Sequence, residues 1–164
     1  MATPTRRVPE GCHSVSPHLV VRGAAQALEF YKKAFGAKEI RRSAMPDGKL
    51  LHAEMQFGDS RFYLNDEFPE MGAHSPQSLK GTPVTIHLWT EDVDGLYKQA
   101  TAAGAQVVMP LADQFWGDRY GVLRDPFGHQ WSMASHVKDL TPEQLKKAGE
   151  EAMAKMGPPK GKPS

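Results

Sequence analysis

The sequence predicts an α+β fold: two βαβββ modules forming curved mixed sheets around a cleft, with a helix after the second. Three observations lead there. The stretch Val84–Gly104, VTIHLWTEDVDGLYKQATAAG, reads as a strand rich in β-branched and aromatic residues, then a turn, then a helix with Val93, Leu96, Tyr97 and Ala100 on one face. The same plan stands earlier as Val15–Gly36, VSPHLVVRGAAQALEFYKKAFG; His18 and His87 lie 69 residues apart, and Gly36 and Gly104 lie 68 apart. After each copy come hairpin signals, at Pro46-Asp47-Gly48, Gly58-Asp59 and Pro126-Phe127-Gly128, where glycine supplies the positive φ of tight turns.

Taken in order, residues 1–13 mix Pro, Arg, Thr and Gly without periodicity and read as a flexible arm. A single domain over residues 14–137 follows. Module one (about 14–68) runs strand 14–21, helix 24–34, strand 38–45, strand 49–57 and strand 60–65. A polar, Pro-containing connector covers 69–81. Module two (about 82–137) runs strand 84–90, helix 93–103, strand 106–110, strand 119–125 and strand 129–135. Leu111–Asp118, LADQFWGD, reads as a loop too aromatic to be idle. Thr141-Pro142-Glu143-Gln144 is a helix start with cap, first-turn proline and capping box, predicting a C-terminal helix over 141–155. Residues 157–164, GPPKGKPS, compose a tail expected to be disordered.

Composition narrows the function classes. A formal net charge of +1 over 164 residues gives no long-range steering toward nucleic acid or a membrane surface. Seven histidines beside one cysteine, Cys12, exclude a disulfide framework and a cysteine-rich zinc site. The first residues carry no apolar signal core, and no run approaches transmembrane length, so a cytoplasmic location is expected. The chain lacks G-x-S-x-G, G-x-G-x-x-G and Walker motifs, which removes support for a hydrolase elbow or a nucleotide cradle. His52-Ala-Glu54 mimics the H-x-E of zinc deaminases, but no P-C-x-x-C accompanies it. Arg6-Arg7 and Arg41-Arg42 read as solvated charges, and Cys12 as an incidental thiol.

Helices cover one face of each sheet, so strand alternation tells which residues line the other. Val84, Ile86 and Leu88 should meet a helix, as should Leu51, Ala53 and Met55. The helix-free face then carries His18, His52, Glu54, Arg61, Tyr63, Thr85, His87, Trp89 and Ser132, a polar and aromatic cleft. Phe115 and Trp116 offer flat apolar surface at the cleft mouth, and Arg119 a bidentate fork for a carboxylate or phosphate. Candidate ligand-binding residues are therefore His18, His52, Glu54, Tyr63, His87, Trp89, Phe115, Trp116 and Arg119. The alternative for Arg119 is an ion pair with Asp118, Asp125 or Glu54. Glu54 is also the candidate proton-abstracting base, because a desolvated carboxylate drifts toward neutral pKa.

The paired modules, LEFYKKAFG in the first helix and DPFGH in the last hairpin resemble the vicinal-oxygen-chelate superfamily, which includes glyoxalases, bleomycin-resistance proteins and dioxygenases. DEFPEMG with DQFWGDRYGVLRDPFGHQWS is similar to its PhnB-like branch. The resemblance covers about residues 14–136. It implies a curved sheet per module, a cleft enclosed by both, and a homodimer with modules paired across chains. It also implies a metal ligand in the first and last strand of each module. Those places fall on Ser16, Tyr63, Thr85 and Ser132, none a usual ligand for a catalytic divalent ion, so the standard site is absent. Two readings stay open. Either the protein encloses a small organic molecule with no cofactor, or one divalent metal ion occupies a shifted site of His18, Glu54 and His87 and the protein is a metal-dependent lyase, isomerase or transferase. A third class, a scaffold using the C-terminal helix, is disfavoured by that helix's weak apolar stripe.

Overall fold

The computed structural model describes residues 6–156. The predicted tail at 157–164 and the first five residues of the arm lie outside that range. In module one, strand β1 (His18–Val21) leads to helix α1 (Ala24–Phe35), then β2 (Lys38–Ala44), β3 (Leu50–Phe57) and β4 (Ser60–Asp66). After the connector helix α2 (Pro76–Leu79), module two repeats the plan with β5 (Thr85–Trp89), α3 (Val93–Ala102), β6 (Gln106–Asp113), β7 (Asp118–Arg124) and β8 (Gln130–His136). Helix α4 (Pro142–Met156) closes the described chain.

The two sheets have the same topology, β1-β4-β3-β2 and β5-β8-β7-β6. In each, the first strand pairs in parallel with the last, and the remaining pairs are antiparallel. The repeat reaches the register itself: His18 pairs with Tyr63, and His87 with Ser132. It also reaches the helix starts. Ala24 N–H donates to Asp66 at the end of β4, 2.9 Å, while the equivalent Val93 N–H donates to Ser135 near the end of β8, 3.1 Å. Each last strand thus supplies an oxygen to the unsatisfied amides of its module's helix.

Helix α1 buries Ala24, Ala27, Leu28, Tyr31, Ala34 and Phe35, the i, i+3, i+4, i+7 spacing of an apolar stripe. It ends at Gly36, whose φ of 64° a side chain would resist. One core serves both modules. Trp131 of β8 is 1 % exposed and lies against Phe35, Tyr31 and Phe62 at ring separations of 4.8, 5.4 and 5.8 Å. Tyr31 donates from its hydroxyl to Asp125 at 2.7 Å, and Trp131 Nε1 donates to the same carboxylate oxygen at 2.8 Å. Asp125 also accepts from the Phe127 and His129 amides, so it ties the β7–β8 turn to α1.

Three predicted features are corrected. Leu51 is exposed and Leu50 is buried, because a register shift between Ser43 and Ala44 bulges β3 and turns the inward position back by one residue. Val84 lies before β5 and is exposed. Within the connector, α2 is capped by Ser75 and its Gln77 donates to the Pro126 carbonyl. The loop predicted at 111–118 is a short turn, because β6 continues through bulges around Pro110 to Asp113. The arm also makes contacts within its described part: His13 Nε2 lies 3.0 Å from the Asp59 carbonyl, and Cys12 reaches Tyr63. No helix among the described residues is long and apolar enough to cross a membrane.

Candidate functional site

The nine candidate residues fall into two groups, one in each module, with Arg119 turned to the helix side of sheet two. On sheet one, β1, β3 and β4 bring His18, His52, Glu54 and Tyr63 together. The Tyr63 ring lies 6.0 Å from His18 and 5.4 Å from His52, and the two imidazoles are 6.1 Å apart. His18 Nε2 is 2.6 Å from Asn65 Oδ1, so that nitrogen carries the proton. Tyr63 Oη is 3.6 Å from the Cys12 sulfur. That contact and burial hold the phenol above its usual pKa.

Glu54 sits at the floor of this group, 3 % exposed. Arg41 Nε and Arg61 Nη1 each donate to one of its oxygens at 2.7 Å. Burial pushes its carboxyl up, but the hydrogen bonds from Arg61 and Arg41 outweigh burial and leave it below the ordinary range. This corrects the expectation of a base tuned toward neutrality: Glu54 is a fixed anion between two guanidiniums. Arg41 is correspondingly a partner of Glu54 and not merely a solvated charge.

On sheet two, rings form a continuous row. His87 meets Trp89 edge-on at 4.8 Å and stacks with Tyr120 at 6.0 Å; Trp116 meets Tyr120 at 5.5 Å and Phe115 at 5.1 Å. Trp89 and Phe115, at the ends, are 58 % and 42 % exposed, so flat apolar surface faces water. His87 Nδ1 is 2.7 Å from the Ser132 hydroxyl. Burial pushes the imidazole below its ordinary pKa against the pull of Asp118, so it is neutral at pH 7. A groove of about 190 Å³ beside His87 and Trp89 is closed by the β3–β4 turn at Phe57–Ser60.

Arg119 lies apart from the row in its bonding. Its Nε and Nη2 donate to the two oxygens of Asp94 at 2.8 Å, and Nη1 donates to Asp113 at 3.0 Å. The fork is engaged, with α3 and β6 as its partners and not the three carboxylates considered from sequence. Among the described residues no hydrogen bond, ion pair or ring contact joins the His18 group to the His87 group, and no three His, Cys, Asp or Glu side chains gather as a metal site. The side chains of the shifted set have other partners here: His18 is turned to Asn65, Glu54 to two arginines, and His87 to Ser132.

Of the four positions matching family metal ligands, Ser16 lies ahead of β1 and the other three are engaged with neutral partners. Thr85 Oγ1 accepts from Gln130 at 3.3 Å, Ser132 is bonded to His87, and Tyr63 to Cys12. Neutral hydroxyls of this kind are poor ligands for a catalytic divalent ion.

The duplicated topology and helix-free faces agree with the family comparison. A model of the Glyoxalase/Bleomycin resistance protein/Dioxygenase superfamily matches residues 13–133. The chain belongs to that superfamily. It is 51 % identical to an uncharacterised protein of Mycobacterium bovis over 138 residues, covering 82 % of this chain and 91 % of that one. A solved structure of an Arabidopsis thaliana gene product superposes with a TM-score of 0.61 at 30 % identity, covering 74 % of this chain and 98 % of that one. A PhnB protein of Bacillus cereus, titled a putative 3-demethylubiquinone-9 3-methyltransferase, shares the fold with a TM-score of 0.57 at 16 % identity, covering 75 % of this chain and 99 % of that one.

Sequence reasoning missed four contributors. Asn65 shares a strand face with Tyr63 by alternation alone, and Tyr120 lies two residues from Val122, which pairs with Ser132. Cys12 and Arg41 carried no local signal, since their roles come from the arm's path and from the pairing of β2 with β3.

Proposed function

We propose that this superfamily member binds a small organic molecule carrying a planar ring, without a resident metal, on the aromatic face of module two. The observation that carries this reading is the row from Trp89 through His87, Tyr120 and Trp116 to Phe115, backed by a neutral imidazole. Indole and phenol rings provide stacking surface, and neutral His87 with Ser132 offers one directed polar contact, the usual economy of a ligand site. Arg119 acts here by holding β7 against α3, which fixes Trp116 and Tyr120 on the same hairpin.

A homodimer is part of the proposal. Among the described residues no hydrogen bond, ion pair or ring contact joins the His18 and His87 groups, and in this proposal a second copy completes the cleft, module one of one chain facing module two of the other. Light scattering should give twice the monomer mass.

The test is a thermal-shift and tryptophan-fluorescence screen of aromatic metabolites on the full chain. A hit at a hundred times its dissociation constant should add about 2.7 kcal/mol of stability. Trp89→Ala and Trp116→Ala should each weaken it at least tenfold. Hits unaffected by both substitutions, or stoichiometric Zn, Mn or Fe lost in His87→Ala, would overturn the reading.

A further inference from the structure

A second feature stands at the other end of sheet two. Where α2 docks on the β7–β8 turn, a cavity of about 340 Å³ opens, lined among others by Gln77, Lys80, Thr82, Arg124 and Gln130. No carboxylate lines it. Of the six arginines between residues 14 and 137, five are hydrogen-bonded or paired with Asp or Glu; Arg124 has no such partner among the described residues. Lys80 has none either.

The backbone adds an independent observation. Lys80 has a φ of 58° and is the sole non-glycine with positive φ among the described residues. It follows α2 at the left-handed position where glycine is the favoured residue. A lysine there strains the chain and puts a basic residue in the cavity wall, the kind of outlier from which a functional role is properly argued.

We propose that this cavity binds a doubly charged oxyanionic group, phosphate or dicarboxylate, of a small molecule through Lys80 and Arg124. Arg124 supplies a planar fork suited to paired oxygens and Lys80 a mobile point charge, with the Gln77, Thr82 and Gln130 side chains at the margin. Arg124 pairs with Gln130 two residues from the Val122–Ser132 pair, so the cavity opens on the sheet face that also carries His87. The site stands on its own cations and does not require the aromatic row.

Inorganic phosphate titrated into the full chain, at ionic strength matched with chloride, tests it by thermal shift and calorimetry. The expected result is a saturable rise in melting temperature beyond chloride. Lys80→Gly, which suits the backbone and should melt no lower, weakens the apparent affinity at least fivefold, as does Arg124→Gln; the double variant shows only the chloride response. Succinate in place of phosphate separates the two sources, saturation by either supporting the site and naming its anion. Trp116→Ala leaves the titration unchanged, which keeps this result distinct from the ring-binding reading. No saturable response to either anion, or an unchanged one in the double variant, overturns the proposal.

Discussion

The hydroxyl of Tyr31, on the helix of module one, donates a 2.7 Å hydrogen bond to Asp125, at the end of a module-two strand. Both groups are buried, so the bond joins the two halves where water cannot substitute for it. Tyr31→Phe should cost about 1.5–3 kcal/mol, the range for hydrogen bonds to a charged acceptor, read as a lower urea midpoint with an unchanged slope. Asp125→Ala should cost more, because it strands Trp131 Nε1 and two turn amides as well.

Glu54→Gln tests the fixed-anion role. Removing one charge from a buried pair costs ~3–5 kcal/mol, and roughly 2 kcal/mol is expected here because Arg41 sits mostly in water. The sign with pH follows from the lowered carboxyl pKa. Below the folded pKa the ion pairs are lost, so the wild-type advantage over the variant is full above about pH 4.5, the unfolded value, and shrinks as acid is added. Equilibrium denaturation at several pH values measures it; an advantage independent of pH would contradict the pairing.

His87 and His136 should titrate on opposite sides of 6.5. His87 is pushed down by burial, so it binds protons less readily than the unfolded chain; its contribution is present above 6.5 and falls as pH drops. His136 is pushed up by hydrogen bonds to Asp118 and Asp139, so its contribution is present below 6.5 and is lost as pH rises through its folded value. Imidazole NMR titrations resolve the two, and coincident midpoints would refute both environments.

Gly117→Ala should loosen the C-terminal helix. Gly117 has a φ of 101°, and a Cβ there would overlap the Lys138 carbonyl. Its own carbonyl accepts the Val137 and Lys138 amides, and Leu140 packs over it. A cost of about 1–3 kcal/mol is expected, with faster proteolysis around residues 137–141 as the local readout.

Alternation and the repeat made much of this fold legible. His18, Glu54, Tyr63 and His87 stand on helix-free faces as their parity requires, because one side-chain set must bury against α1 or α3. Leu50 and Leu51 mark where that logic stops, since a bulge shifts parity without changing composition. The extension of β6 to Asp113 was likewise hidden, because Pro110 reads as a strand end when it is a bulge. The site was legible residue by residue but not as an assembly. Parity places a residue on a face and says nothing about which faces meet, so the separation of His18 from His87 and the capture of Arg119 by Asp94 needed coordinates.

The indole of Trp131 has a consequence for how the duplicated halves can exist. Its ring fills space bounded by Tyr31, Phe35 and Phe62, all from the other half. Severing the polypeptide within 69–81 would give an amino-terminal fragment with an aromatic hole and a carboxy-terminal fragment with an orphaned plug. Mixed together, the fragments should reconstitute; kept apart, neither should fold. Whatever autonomy an ancestral half possessed has been surrendered to its twin.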